Sequence, residues 1–114
     1  MTISDIRDIL DANLYCCDDL NKTINSACGS DLMSDVLAFV KDQAVLLTGL
    51  VNSQVVRTAE MMDIICIVLV RGKQPTEEML ELAKSCGIAL MSTDVRMYSA
   101  CGRLYASGLR GGNK

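Results

Sequence analysis

AVLLTGLVNSQVVRTAEMMDIICIVLVRGKQPTEEMLELAKSCGIALMS, residues 44–92, decides the fold of this chain. Ala44 to Thr48 is a continuous apolar strand closed by Gly49. Ser53 to Met62 then changes period: Val55, Val56, Ala59 and Met62 share one helical face behind Asn52 or Ser53 as the cap. Ile64 to Val70 is a second apolar strand, closed by Arg71-Gly72. Thr76 to Cys86 is a second helix, begun beside Pro75 and stopped at Gly87. Ile88 to Ser92 is the third strand. Strands that are apolar throughout, without alternation, are buried on both faces, as in a parallel sheet covered by helices. The order predicts an α/β domain with right-handed crossovers.

Outward from this block, Val95 to Ser107 reads as the last helix. On the other side, Leu32, Met33, Val36, Leu37 and Val40 recur at helical spacing, with Ser30 or Ser34 as cap. Residues 13–17 (NLYCC) and 23–27 (TINSA) read as two short strands separated by Asp18-Asp19, and they would make the sheet mixed. Residues 3–10 set Ile3, Ile6, Ile9 and Leu10 on one helical face and Asp5, Arg7 and Asp8 on the other. The expectation is one three-layer α/β domain over residues 1–110, with a mostly parallel sheet, and a flexible tail at 111–114.

Bulk composition narrows the chemistry. The chain has 114 residues, half of them hydrophobic, a net charge of −3, six cysteines and no histidine. That length suits a single core and excludes a multidomain enzyme. Without histidine there is no imidazole base, no Ser-His or Cys-His pair and no His-containing metal site. Glu60, Asp63 and Asp94 are isolated carboxylates that read as caps or surface charges, so no catalytic residue is assigned. Charge is uneven, at −5 over residues 1–42 and +2 over the rest. Neither half carries the basic footprint of a nucleic-acid binder, and three Tyr and one Phe offer little for bases to stack on.

The amino terminus, MTISDIRDIL, lacks the basic-then-apolar pattern of a signal peptide, which predicts a cytoplasmic protein with reduced thiols. Asn21-Lys22-Thr23 is then a chance match to the glycosylation sequon. The most apolar run has seven residues, against about 20 for a membrane-spanning helix.

Ligands of open parallel sheets bind outside the carboxyl ends of the strands, where backbone N–H groups and helix N-termini converge. Three loops occupy that edge. They offer Thr48, Gly49, Asn52 and Ser53; Arg71, Gly72 and Lys73; and Thr93 as ligand-binding candidates. Two glycines, several hydroxyls and two cations suit a small anion or a phosphorylated metabolite. On the alternative reading, Gly49 and Gly72 only permit tight turns, Asn52 or Ser53 only caps, and Arg71 and Lys73 sit in water. Neither GxGxxG nor GxxxxGK[ST] is present.

The cysteines stand at 16, 17, 28, 66, 86 and 101, with no CxxC among them. Cys66, Cys86 and Cys101 fall on inward faces and read as small core hydrophobes. Cys16, Cys17 and Cys28 remain open to a metal or intersubunit cluster. The last helix spaces Arg96, Arg103 and Arg110 by seven, beside Ala100, Gly102 and Ala106. Such a surface could pack on a second copy and pair with its acidic amino-terminal third, giving a homodimer; the alternative is a solvated face.

Taken together, TGLVN, RTAEMMDI, VRGK and the proline-started helix that follows resemble the DRTGG domain family, over about residues 2–110, including the amino-terminal helix and the paired weak strands. Gly49 and Gly72 match the family's two turns. Leu50-Val51 stand where it commonly has Asp-Arg, and Val70-Arg71-Gly72 where it has Thr-Gly-Gly. The resemblance implies a three-layer fold like the amino-terminal domain of HPr kinase/phosphorylase. It also implies a regulatory or dimerising module, as in DRTGG domains attached to phosphate acetyltransferase and to CBS-containing pyrophosphatases. The variant seen here is similar to stand-alone DRTGG proteins of anaerobic bacteria, often encoded near iron-only hydrogenase subunits. From this comes the expectation of a non-catalytic module accessory to a redox enzyme such as an iron-only hydrogenase. The alternative it leaves open is an iron–sulfur-binding or electron-transfer protein; no cofactor is assigned.

Overall fold

The computed structural model describes residues 1–38 and 41–112. The chain runs α1 (Ile3–Leu10), β1 (Asn13–Cys16), β2 (Ser26–Gly29), α2 (Met33–Leu37), β3 (Ala44–Thr48), α3 (Ser53–Met61), β4 (Ile64–Leu69), α4 (Glu77–Cys86), β5 (Ala89–Ser92) and α5 (Met97–Ala106). The five strands form one sheet in the order β1-β5-β4-β3-β2. Strands β2 to β5 are parallel, and β1 pairs antiparallel with β5, Asn13 opposite Ser92 and Leu14 opposite Met91. The sheet is therefore mixed at one edge, as expected.

Helices cover both faces. Val36 of α2, Val55, Val56 and Ala59 of α3, and Met79 and Ala83 of α4 pack with Leu46, Ile67, Leu69 and Leu90 on one side. Ile3, Ile6 and Leu10 of α1 and Ala100 and Leu104 of α5 pack with Val45, Leu47, Val68 and Met91 on the other. Each fully buried Leu or Ile contributes about 1.5–3 kcal/mol, so the two-sided apolar strands are what hold the three layers together. No helix among the described residues is long and apolar enough to cross a membrane.

The caps follow the residue chemistry. Thr2 Oγ1 accepts from Asp5 N at 3.1 Å while Thr2 N donates to Asp5 Oδ2 at 2.8 Å, a capping box that starts α1. Hydrogen bonding to its carboxyl, from the Thr2 backbone first and then the Thr2 side chain, holds Asp5 below its ordinary range. Asn52 Oδ1 accepts from Val55 N and Thr76 Oγ1 from Met79 N, at the starts of α3 and α4. Gly87, in the left-handed region at φ 69°, ends α4.

Three expectations are corrected. The second short strand lies at Ser26–Gly29, displaced from 23–27, because Thr23 bridges Thr2 and Ile24 N donates to Met1 O. Those β-prone residues anchor the amino terminus, and pairing with β3 begins only at Ser26. The two weak strands also do not pair: β1 and β2 form opposite edges of the sheet. The helix expected from residue 31 is five residues long. Its N-cap is Leu32, which makes no side-chain cap bond, and both Leu32 and Leu37 are exposed. Ser30 instead accepts from Leu32 N in a local turn, and Val40 lies outside the described residues.

After α5 the chain turns beside β2. Leu109 is buried, and Ala27 N, on the outer edge of β2, donates to Arg110 O at 2.9 Å. Of the expected tail, Gly111 and Gly112 are described here, and residues 113 and 114 lie outside the described residues.

Candidate functional site

The parallel strands deliver four loops to one edge, one more than the sequence reading placed there. With β2 ending at Gly29, the segment Ser30-Asp31-Leu32 joins the loops that follow β3, β4 and β5.

Asp31 ties three of these loops together. Its Oδ1 accepts from Gly49 N at 2.6 Å and from the Thr48 hydroxyl at 3.1 Å. Its Oδ2 lies 3.7 Å from Arg71 Nη2. Arg71 reaches it from the β4 loop by lying across Gly49. A methyl group at residue 49 would stand 2.1 Å from Arg71 Nη2, so glycine is needed there for close approach rather than for backbone conformation. The ion pair is about half exposed on both sides. Leu50 N donates to Thr48 Oγ1, which completes the β3 turn.

The β4 and β5 loops meet differently. The chain leaves β4 toward α4 on one face of the sheet and leaves β5 toward α5 on the other. This junction is where strand connectivity predicts a ligand crevice. Here it is closed by backbone bonds, Arg71 N to Val95 O and Gly72 N to Thr93 O, both 2.9 Å. Arg71 and Gly72 both have positive φ, 60° and 71°, and Lys73 N donates to Val70 O, as in a tight two-residue turn. Thr93 is 3% exposed; its hydroxyl donates to Leu10 O at 2.6 Å and accepts from Val95 N.

The structure thus brings Thr48, Gly49 and Arg71 together around Asp31 and turns the Thr93 hydroxyl inward to α1. Asn52 caps α3, and the Ser53 hydroxyl donates to Glu78 Oε1 at 3.0 Å. Lys73 is exposed, with no partner among the described residues. Asp94 stands beside Gly72, so two carboxylates accompany the two cations of this edge. Sequence reading missed Asp31 because it placed the second strand three residues early. It also missed a cleft of about 500 Å³ that lies between β2, α5 and the segment after α5. That cleft is bordered by Leu47, Leu104, Leu109 and Cys101 and reaches Gly29, the residue before the β2 loop.

The cysteines divide among the layers. Cys66 is fully buried, and burial pushes its thiol up. Burial likewise raises Cys16, Cys17, Cys28 and Cys101, and a hydrogen bond with the Glu60 carboxylate raises Cys86. Cys16 ends β1 and Cys28 lies in β2, with three strands between them. At about 4.8 Å per strand, one chain cannot direct Cys16, Cys17 and Cys28 at a single metal. No group of three or more Cys, Asp or Glu suited to a metal occurs among the described residues.

On α5, Ala100 is buried against the sheet and so does not face a partner, contrary to the small-residue surface read from the sequence. Gly102 and Ala106 are exposed, as are Arg96 and Arg103, while Arg110 stacks on the Tyr105 ring with its guanidinium carbon 3.8 Å from the centroid.

No protein-family model and no curated protein matches this sequence. Among solved structures, the fold is similar to the CBS and DRTGG domains of the regulatory region of a Clostridium perfringens pyrophosphatase, crystallised with the activator diadenosine tetraphosphate. The TM-score is 0.73 at 15% identity, over 98% of this chain and 51% of that one. This chain spans about half the length of that region. The likeness bears out, at the level of the fold, the three-layer architecture and the DRTGG resemblance read from the sequence.

Proposed function

We propose, from the fold shared with that regulatory region, that the chain is a non-catalytic module that binds a small anionic ligand at the carboxyl edge of its sheet. The observation that carries this reading is the Asp31 carboxylate, held by Gly49 N–H, the Thr48 hydroxyl and the Arg71 guanidinium. Those are the donors an oxyanion needs, aimed at one point. Lys73 adds an uncommitted cation, and Gly72, Asn52, Ser53 and Thr93 shape the turns around it. The lack of histidine in the chain supports binding over catalysis. That the related region was crystallised with a polyphosphate nucleotide supports phosphate-bearing ligands as the first to test.

The test is a thermal-shift and calorimetric screen of phosphate, pyrophosphate, nucleotides and dinucleoside polyphosphates. A ligand at a hundredfold excess over its Kd stabilises by about 2.7 kcal/mol. Failure of all of them to stabilise the protein would remove the sensing role.

A homodimer is part of the proposal and rests on the layer formed by α1 and α5. Asp5, Asp8 and Asp11 are exposed on or at the end of α1. Arg96, Arg103, Tyr98 and Tyr105 are exposed on α5, Tyr98 at 91%. A twofold axis that sets α5 of one copy on α1 of the other pairs these charges twice. Sedimentation at tens of micromolar tests it: a single 12.4 kDa species at low salt would refute the dimer.

Association with a redox enzyme such as an iron-only hydrogenase is carried by the sequence resemblance alone, and recovery of that enzyme with the tagged protein from an anaerobe tests it. Iron analysis of anaerobically purified protein addresses the iron–sulfur alternative, which the separation of Cys16 and Cys17 from Cys28 disfavours within one chain.

A further inference from the structure

We propose that Asp31 is a built-in competitor for this anion site, so that a ligand enters by displacing its carboxylate and releasing the segment that carries it. The inference rests on the anion-binding reading above and adds its regulation.

The backbone positions that carry these donors are set without Asp31. Gly49 N–H belongs to the turn that ends β3, a central strand. Arg71 is held by its own backbone, with N–H bonded to Val95 O and φ fixed in the left-handed region between two strand ends. Its guanidinium lies against the bare Cα of Gly49.

The acceptor is the weakly held member. Asp31 precedes a five-residue helix with no side-chain cap bond, and only Val36 of that helix is buried. Leu32 and Leu37 are 58% and 43% exposed. The carboxylate contacts to Gly49, Thr48 and Arg71 join this segment to the β3 and β4 loops; beside them stand one backbone bond, Ser30 N to Leu47 O at 3.0 Å, and the buried side chain of Val36. Asp31 brings a single charge and two oxygens, half in water. A phosphate ester or pyrophosphate brings more charge and more acceptor oxygens to the same three groups. Displacement then converts ligand binding into loosening of residues 30–37 from the loops that follow β3 and β4. Asp31 is in this sense a positioning residue for the segment and an antagonist of the ligand.

Pyrophosphate titration by calorimetry, using the full chain, tests this on wild type, Asp31→Asn, Asp31→Ser and Arg71→Ala. Either Asp31 variant should bind at least about tenfold tighter than wild type, and Arg71→Ala should lose binding while keeping its circular dichroism spectrum. In wild type, pyrophosphate should speed hydrogen exchange in residues 30–37. Equal affinity of wild type and both Asp31 variants, or slowed exchange in that segment, overturns the competitor role and leaves the anion site standing. No binding by any variant overturns both.

Discussion

Two neighbouring junctions at one edge of the sheet are closed by different means. Between β4 and β5 the loops are joined by two backbone hydrogen bonds, and the Thr93 hydroxyl is buried against α1. Between β2, β3 and β4 the loops are joined by the side chains of Asp31 and Arg71, half in water. The first closure is made of backbone bonds. The second is made of charge, and charge can be replaced. Connectivity alone points to the β4–β5 crevice, while the proposed anion contacts lie one strand over.

Substitutions at the two junctions should separate them. The largest effect is expected for Thr93→Val, which keeps the shape but leaves Leu10 O and Val95 N without their partner; a loss of about 1–3 kcal/mol in urea unfolding is expected. A loss under about 0.5 kcal/mol would mean that junction is not held as described. At the other junction, Arg71→Ala removes a half-exposed ion pair and should cost only about 0.2–1 kcal/mol. Arg71→Gly loses the same pair but relieves the left-handed backbone, so it should be more stable than Arg71→Ala by about 1 kcal/mol. The two variants being equal would show that the turn carries no strain.

Gly49→Ala sharpens the contrast further. The added methyl displaces the end of a flexible side chain, so unfolding should shift by about 0.5 kcal/mol or less. Anion binding, in contrast, should fall to the level of Arg71→Ala in the same calorimetric assay.

The smallest effect concerns pH. The folded-state pKa of Asp5 is lowered, so its contribution is present above the unfolded value of about 3.8 and is lost as pH falls through the folded value. Asp5→Asn should therefore flatten the acid limb of the stability profile slightly and leave neutral pH behaviour at both junctions alone.

The block from Ala44 to Ser92 was legible because its strands are buried on both faces and each helix carries its own cap. Asn52, Thr76 and Gly87 act as their residue types suggest. The stretch from Thr23 to Leu37 was not, since short strands at sheet edges take their register from distant partners. Thr23 and Ile24 look like strand residues and serve the amino terminus; Ser26 to Gly29 look unremarkable and pair with β3. That three-residue displacement hid Asp31, whose role exists only once β2 and β3 run side by side. The candidate glycines were found by type, but the reason for Gly49, a guanidinium resting on it, belongs to tertiary structure. Thr93 was found by position and turned out to point the other way.

The bond from Ala27 to Arg110 reaches beyond local geometry. Strand β2 is an outer strand of the sheet, and unguarded edges invite pairing with other chains. Because Leu109 is buried and Arg110 occupies an outward N–H of β2, the residues after α5 act as a shield for that edge. Cutting the chain back to Gly108 would therefore leave the anion donors intact and change the colloidal behaviour of the protein, exposing a strand that could recruit copies of itself into larger assemblies.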